Sequence, residues 1–291
     1  MKDFDYVAEN ERILNEWCER FVEDKKDDEA YKGYKIEDYF AKDGIMFKGK
    51  FLPDRKNYPD GKSVFRWKRD CSGEENSLWT IAPLRILYLT KDQNSYGDVA
   101  WDVRSESFRY RDENFNPEEM WLDTGVTFYR NLVYSLYGIM NSTANIQIGY
   151  NDFTDKEAVY FTDKQIFARI NCKKEVGEDK CPDNVLFDVI KRDKFFLERQ
   201  INNLDADIFV CCGYSQSIPD SGNRMLNLLN SIGYHFKPQD EEKWIFYDSD
   251  KNKVAINSYH LSYLRFDYVG MMSAYHEFLK NHPDFTKSHR G

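Results

Sequence analysis

Three short apolar runs constrain this chain more than any other feature. Leu84-Arg-Ile-Leu-Tyr-Leu-Thr90, Gln165-Ile-Phe-Ala-Arg-Ile-Asn171 and Asp207-Ile-Phe-Val-Cys-Cys-Gly213 have the length and composition of central parallel strands. Helical patterns lie between them. Pro117 is a good first helical residue, and Met120, Trp121, Val126, Phe128, Leu132, Val133 and Leu136 after it predict one long helix. Pro182 to Leu204 predicts another, with Val185, Leu186, Val189, Ile190, Phe195, Phe196, Leu197 and Ile201 on its apolar face. A short helix over 220–232 follows. Trp244–Tyr247 and Val254–Asn257 bracket a polar turn, and an aromatic-rich helix over 265–280 closes the chain. Strands alternating with helices of this length predict a three-layer α/β/α sandwich around a mostly parallel sheet. Ligands of such sheets bind at the carboxyl ends of the strands. The residues just after Thr90, Ile170, Gly213 and Ile256 are therefore the place to look.

The first 80 residues differ in character. Ile13, Leu14, Trp17, Phe21 and Val22 recur at helical spacing, and turn signals are dense between Asp43 and Asn76. They read as an N-terminal helical and loop extension, with 81–291 forming the α/β domain. The N-terminus lacks the apolar stretch of a secretory signal, so a cytoplasmic location is expected. No run of about 18 apolar residues occurs, so no membrane partner is expected. Six cysteines form no C-x-x-C pair and are expected to be reduced thiols; no metal and no cofactor is implied.

Several motifs fail. Neither G-x-G-x-x-G nor a P-loop is present. Asp248-x-Asp250-x-Asn252 imitates the start of an EF-hand, but Lys253 stands in place of its glycine and Tyr259 in place of its glutamate, so a hairpin turn is expected. Gly213-Tyr-Ser215-Gln-Ser217 approaches a nucleophile elbow, which keeps a serine hydrolase using Ser215 and His260 open as a reading.

The strand ends read Thr90-Lys-Asp-Gln-Asn-Ser-Tyr-Gly97, Ile170-Asn-Cys-Lys-Lys-Glu-Val-Gly177, Cys212-Gly213 and Asn257-Ser-Tyr-His-Leu-Ser-Tyr-Leu-Arg265. Taken in order over residues 81–280, they resemble the uracil-DNA glycosylase superfamily, as does Asp207-Ile-Phe-Val-Cys-Cys-Gly213. Leu261 stands where that family carries proline. The resemblance implies a hydrolase of DNA repair that cleaves the N-glycosidic bond of a flipped-out uracil or related base. Asp92 would orient water and face the cationic sugar, His260 would stabilise the leaving base, and Asn171 would read its edge. Tyr96, Trp101 or Phe108 would supply a stacking floor, with Asn94 beside it. Lys173, Lys174, Ser262 and Arg265 would hold flanking phosphates. The implied partner is single-stranded or damaged DNA, or a free nucleobase.

Each residue also has a structural reading. Asp92 can cap a turn, Asn171 can satisfy a loop, His260 can sit in a core, and Lys173 and Lys174 can form a solvated face. Arg265 can pair with Asp267, and Arg104 with Asp102. Charge adds an objection to duplex DNA. Lys+Arg number 41 and Asp+Glu 50, a net of −9, and Asp98, Asp102, Glu106, Asp112 and Glu113 interleave with Arg104, Arg109 and Arg111. A catalytically inactive member of the same fold, binding nucleic acid, a nucleobase or a protein, therefore stays open beside the enzyme.

Overall fold

The computed structural model describes residues 4–57, 63–93, 99–109, 112–114, 116, 119, 126–177, 181–264 and 266–285. In chain order its elements are helix α1 (Tyr6–Lys25), strands β1 (Gly44–Ile45), β2 (Phe51–Asn57) and β3 (Ser63–Arg69), helix α2 (Glu75–Thr80), strand β4 (Ile86–Thr90), and helices α3 (Thr127–Asn141) and α4 (Asp155–Lys164). Strand β5 (Ala168–Asn171), helix α5 (Asp183–Leu204), strand β6 (Ile208–Cys212) and helix α6 (Arg224–Ser231) follow. Strands β7 (Lys237–Pro238), β8 (Ile245–Asp248) and β9 (Lys253–Ser258) and helix α7 (Tyr268–Asn281) complete the chain. The main sheet has the order β1-β5-β4-β6-β9-β8-β7. Its four central strands are parallel, and β1, β8 and β7 pair antiparallel to their neighbours.

Strand residues of alternating parity feed two cores. Leu87, Leu89, Ile170, Phe209 and Cys211 pack beneath α1, α5 and α6. Ile86, Tyr88, Ile208, Val210 and Ile256 pack beneath α3 and α7. All five residues of β4 are buried, which is why its sequence shows no polar alternation. The mixed α/β fold with a mostly parallel sheet and helices on both faces therefore agrees with the sequence.

The first 80 residues share this architecture. Trp17 of α1 stacks on Phe196 of α5 at 5.4 Å and 8°, and β1 extends the sheet along β5. A buried polar cluster locks the junction. The Lys174 ammonium lies 2.6 Å from Asp43, Asp43 accepts the Asn171 backbone N–H at 2.8 Å, and Gln200 donates to the same carboxylate at 2.8 Å. Lys174 is 2% exposed and Lys173 8%, so neither forms the solvated face or open phosphate contact read from the sequence.

Local chemistry sets the element ends. Asp5 accepts the Ala8 N–H ahead of α1, and Thr154 and Glu157 form a capping box on α4. Helix α3 starts at Thr127, with Val126 extended before it; the stretch 120–125, read as part of this helix, lies outside the described residues. The 248–253 segment is the β8–β9 hairpin turn expected for it, with Asp248 accepting from Asp250 and Lys251 N–H groups. All six cysteines are free thiols.

The region between Asp43 and Asn76, read as turn-rich loop, holds an antiparallel ribbon. Strands β2 and β3 pair from Phe51↔Arg69 to Asn57↔Ser63, apart from the main sheet. Pro53 is tolerated because β2 is an edge strand, with no partner on its other side among the described residues.

Candidate functional site at the carboxyl end of the sheet

Going along the chain, β4 is joined to β5 on one side and the path then crosses to β6 on the other. The direction reverses between β4 and β6, and open α/β sheets characteristically bind ligands at such a reversal, at the carboxyl ends of the strands. Thr90 ends β4 and Asn171 ends β5 directly beside it.

A chain of donors fixes what Asn171 presents. The Arg169 guanidinium can only donate, and its Nε faces the Thr90 hydroxyl at 3.5 Å. Thr90 Oγ1 in turn donates to Asn171 Oδ1 at 2.5 Å. The amide oxygen is thereby engaged, and Nδ2 points away from it with two hydrogens. Asn171 is wholly buried, and among the described residues Nδ2 has no hydrogen-bond partner. One lone pair of Oδ1 remains for a second donor.

Arg169 organises the neighbourhood. Its Nη1 meets the Glu106 carboxylate at 2.5 Å, with each side chain 5% exposed. Its guanidinium lies 4.6 Å from the centre of the Phe128 ring, and Phe128 lies 6.1 Å from the His260 ring. Burial, with Lys91 and Arg169 nearby, pushes the His260 pKa down to about 4, so the imidazole is neutral at pH 7. Its Nδ1 accepts the Ser262 N–H at 3.3 Å, which leaves the proton on Nε2. His260 is thus an uncharged hydrogen-bond donor.

Asp92 stands apart from this pair. Its carboxylate lies 3.7 Å from Lys173 and against Gly177, where an added Cβ would fall 2.1 Å from Oδ2. Oδ2 is buried and, among the described residues, without a hydrogen bond. Burial raises the Asp92 pKa, and Lys173 offsets part of the rise. Among the described residues no hydrogen bond or ion pair joins Asp92 to Asn171 or His260. The end of the sheet therefore brings Asn171 and His260 onto one connected set of contacts, while Asp92 faces the segment after β5.

The remaining sequence candidates fall as follows. Trp101 donates through Nε1 to Glu106 at 2.8 Å, and the Arg66 guanidinium lies 5.1 Å from its ring centre. Phe108 is a core residue, edge-on to Tyr129. Lys173 donates to the Glu175 carbonyl at 2.6 Å. Ser262 is exposed beside His260. Arg104 pairs with Asp102 at 2.6 Å and with Glu11, which is the structural reading of that segment. Ser215 shares a hydrogen bond with Ser217 at 2.8 Å in an exposed loop, and none with His260 among the described residues. Asn94, Tyr96 and Arg265 lie outside the described residues.

Thr90, Glu106, Phe128 and Arg169 escaped sequence reasoning. The available signal was Arg169 itself, a charge inside an otherwise apolar strand, which demands a buried partner. The β2–β3 ribbon was missed too. Residues 48–69 hold eight Lys/Arg and two Asp, so 8 − 2 = +6 in a chain whose total is −9. The ribbon reaches the site through Arg66, Trp101 and Glu106. Asp54 pairs with Arg66 at 2.7 Å and stands 3.7 Å from Lys68, one carboxylate between two cations.

Among the described residues no cluster of three or more His, Cys, Asp or Glu can hold a metal ion, and no helix is long and apolar enough to cross a membrane. Comparisons with protein-family models, with curated proteins and with solved structures found no match.

Proposed function

We propose that this chain is a divergent uracil-DNA glycosylase-like protein that takes a flipped-out uracil or related base into the carboxyl end of its sheet and hydrolyses the N-glycosidic bond. The observation that carries this reading is the free, buried Nδ2 of Asn171. A buried donor left unbonded costs about 1–3 kcal/mol, and a carbonyl oxygen of a pyrimidine restores the bond. The open lone pair of Oδ1 suits the neighbouring ring N–H. His260, neutral with its proton on Nε2, suits the second carbonyl, where negative charge collects as the base departs. Water adds to the anomeric carbon, the carbon–nitrogen bond breaks with its electron pair leaving on the base, and the proton released by the water ends on the departed base.

The charge objection weakens once the ribbon is considered. With +6 assigned to residues 48–69, the rest of the chain carries −9 − 6 = −15. The positive segment adjoins the site, where it suits a nucleic-acid backbone. Extruding a base from a stack costs a few kcal/mol, which makes single-stranded DNA the easier substrate.

The orientation of Asp92 favours a second reading, a catalytically inactive protein of the same class that binds the base without releasing it. Uracil release from a single-stranded oligonucleotide separates the two. Release by the wild type, lowered about 100-fold or more by Asn171→Ala or His260→Ala, supports the enzyme. Binding without release selects the binder. Neither binding nor release ends both readings. An Asp92→Ala variant working at the wild-type rate removes Asp92 from the chemistry.

A further inference from the structure

A recess opens at the same end of the sheet, and it is independent of the glycosylase reading. It encloses about 490 Å³ and is lined by Tyr214, Trp244, Tyr259, Glu242, Asp267 and Lys243, among others. Tyr259 and His260 are adjacent in the chain but their rings have different neighbours. His260 meets Phe128, whereas Tyr259 meets Tyr214 at 5.2 Å and 86° and Trp244 at 5.9 Å and 66°, with Tyr263 stacked on Tyr259 at 5.1 Å and 26°. The recess is thus walled by three aromatic rings, two of them set steeply to the third.

Its floor is fixed. Asn257, 1% exposed, donates to the carbonyls of Ser221 and Lys243 and accepts from Asn223. The Asp267 carboxylate caps α7 by accepting the Gly270 N–H at 2.8 Å. Glu242 and Asp267 are exposed, and neither has an ion-pair partner among the described residues. Among the described residues, two carboxylates against the Lys243 ammonium leave the rim net negative.

Elsewhere the chain covers ring faces with its own cations. Arg66 lies over Trp101, Arg169 over Phe128, Lys174 over Trp17 and Arg104 over Phe47, all within 4.6–5.1 Å. Among the described residues no such cation covers Tyr214, Trp244 or Tyr259. A bulky alkylated ammonium loses little hydration on entering such a site and is attracted to ring faces, with Trp the best of them.

We propose that this recess binds an organic cation, an alkylated ammonium group held against Tyr214, Trp244 and Tyr259 with Glu242 and Asp267 as counter-charges. Calorimetry on the full chain tests it with choline, with choline's uncharged tert-butyl isostere, and with a peptide carrying trimethyl-lysine. Choline or the peptide should bind at least about tenfold more tightly than the isostere, and the stronger of the two identifies the source of the cation. Tyr259→Leu should lose that preference, Tyr259→Phe should keep it, and Glu242→Gln should weaken it a few-fold. The Phe variant distinguishes a lost ring from a lost fold. Equal affinity for the isostere, no binding of either cation, or an unchanged preference in folded Tyr259→Leu overturns the proposal.

Discussion

Arg169 and Glu106 form an ion pair at 2.5 Å with both side chains 5% exposed, and the pair joins the basic ribbon to the end of the parallel sheet. Trp101 donates to the same carboxylate, and Arg66 of the ribbon covers Trp101. Removing one partner strands the other charge in the interior. Arg169→Met should therefore cost about 3–5 kcal/mol, and adding Glu106→Leu should recover most of that loss. Urea unfolding of the two single variants and the double variant measures the difference.

The base-binding reading gives Thr90 a role separable from stability. Its hydroxyl is the link that orients the Asn171 amide. Thr90→Val should cost only about 1–2 kcal/mol, yet it frees Asn171 to rotate. Affinity for uracil should then fall about tenfold, a loss of about 1.4 kcal/mol. Titration of the base against both proteins, each shown folded by circular dichroism, checks this.

His260 makes stability depend on acid. The folded group takes up its proton near pH 4, whereas the ordinary value is 6.5. The unfolded chain therefore binds the proton first as pH falls. Stability is complete above about pH 6.5, declines on acidification, and levels off below about pH 4. The loss at pH 5 should be about 2 kcal/mol for this group. Denaturant unfolding at pH 7 and pH 5 should show it, and His260→Asn should flatten that part of the profile.

The ribbon predicts a salt signature. Each phosphate contact to a single strand contributes about 0.7 to the slope of log affinity against log salt. Arg66→Ala with Lys68→Ala should reduce the slope by about 1.4 while leaving the fold intact. A slope unchanged across 50–200 mM salt (about the range in which such contacts are felt) would separate the ribbon from nucleic acid.

The helices and the parallel strands were legible because their signals are local and repeated. Ile13, Trp17 and Phe21 mark one face of α1, and the apolar run ending at Thr90 needs no partner to be recognised. The ribbon was not legible because Pro53, the dense turn signals and alternating Lys and Arg hide a strand whose pairing is its only support. The positions of the candidate residues were legible in part. Asn171 and His260 lie at strand ends, which the rule for open α/β sheets singles out. What Asn171 presents depends on Thr90 and Arg169, 81 and 2 positions away, and hydrogen-bond direction across neighbouring strands is not written in either stretch of sequence. The orientation of Asp92 depends on the room left by Gly177, which is equally non-local.

The two margins of the main sheet are protected by different means. At one, Lys237 and Pro238 are exposed in β7, a cation and a residue without an N–H, both poor templates for another strand. At the other, Gly44 and Ile45 cover the outer rim of β5. A chain shortened to begin near residue 81 would uncover that rim together with the apolar footprint of Trp17. An uncovered sheet edge beside exposed apolar surface is a template for strand addition, so such a chain is expected to be more prone to self-association than the full one.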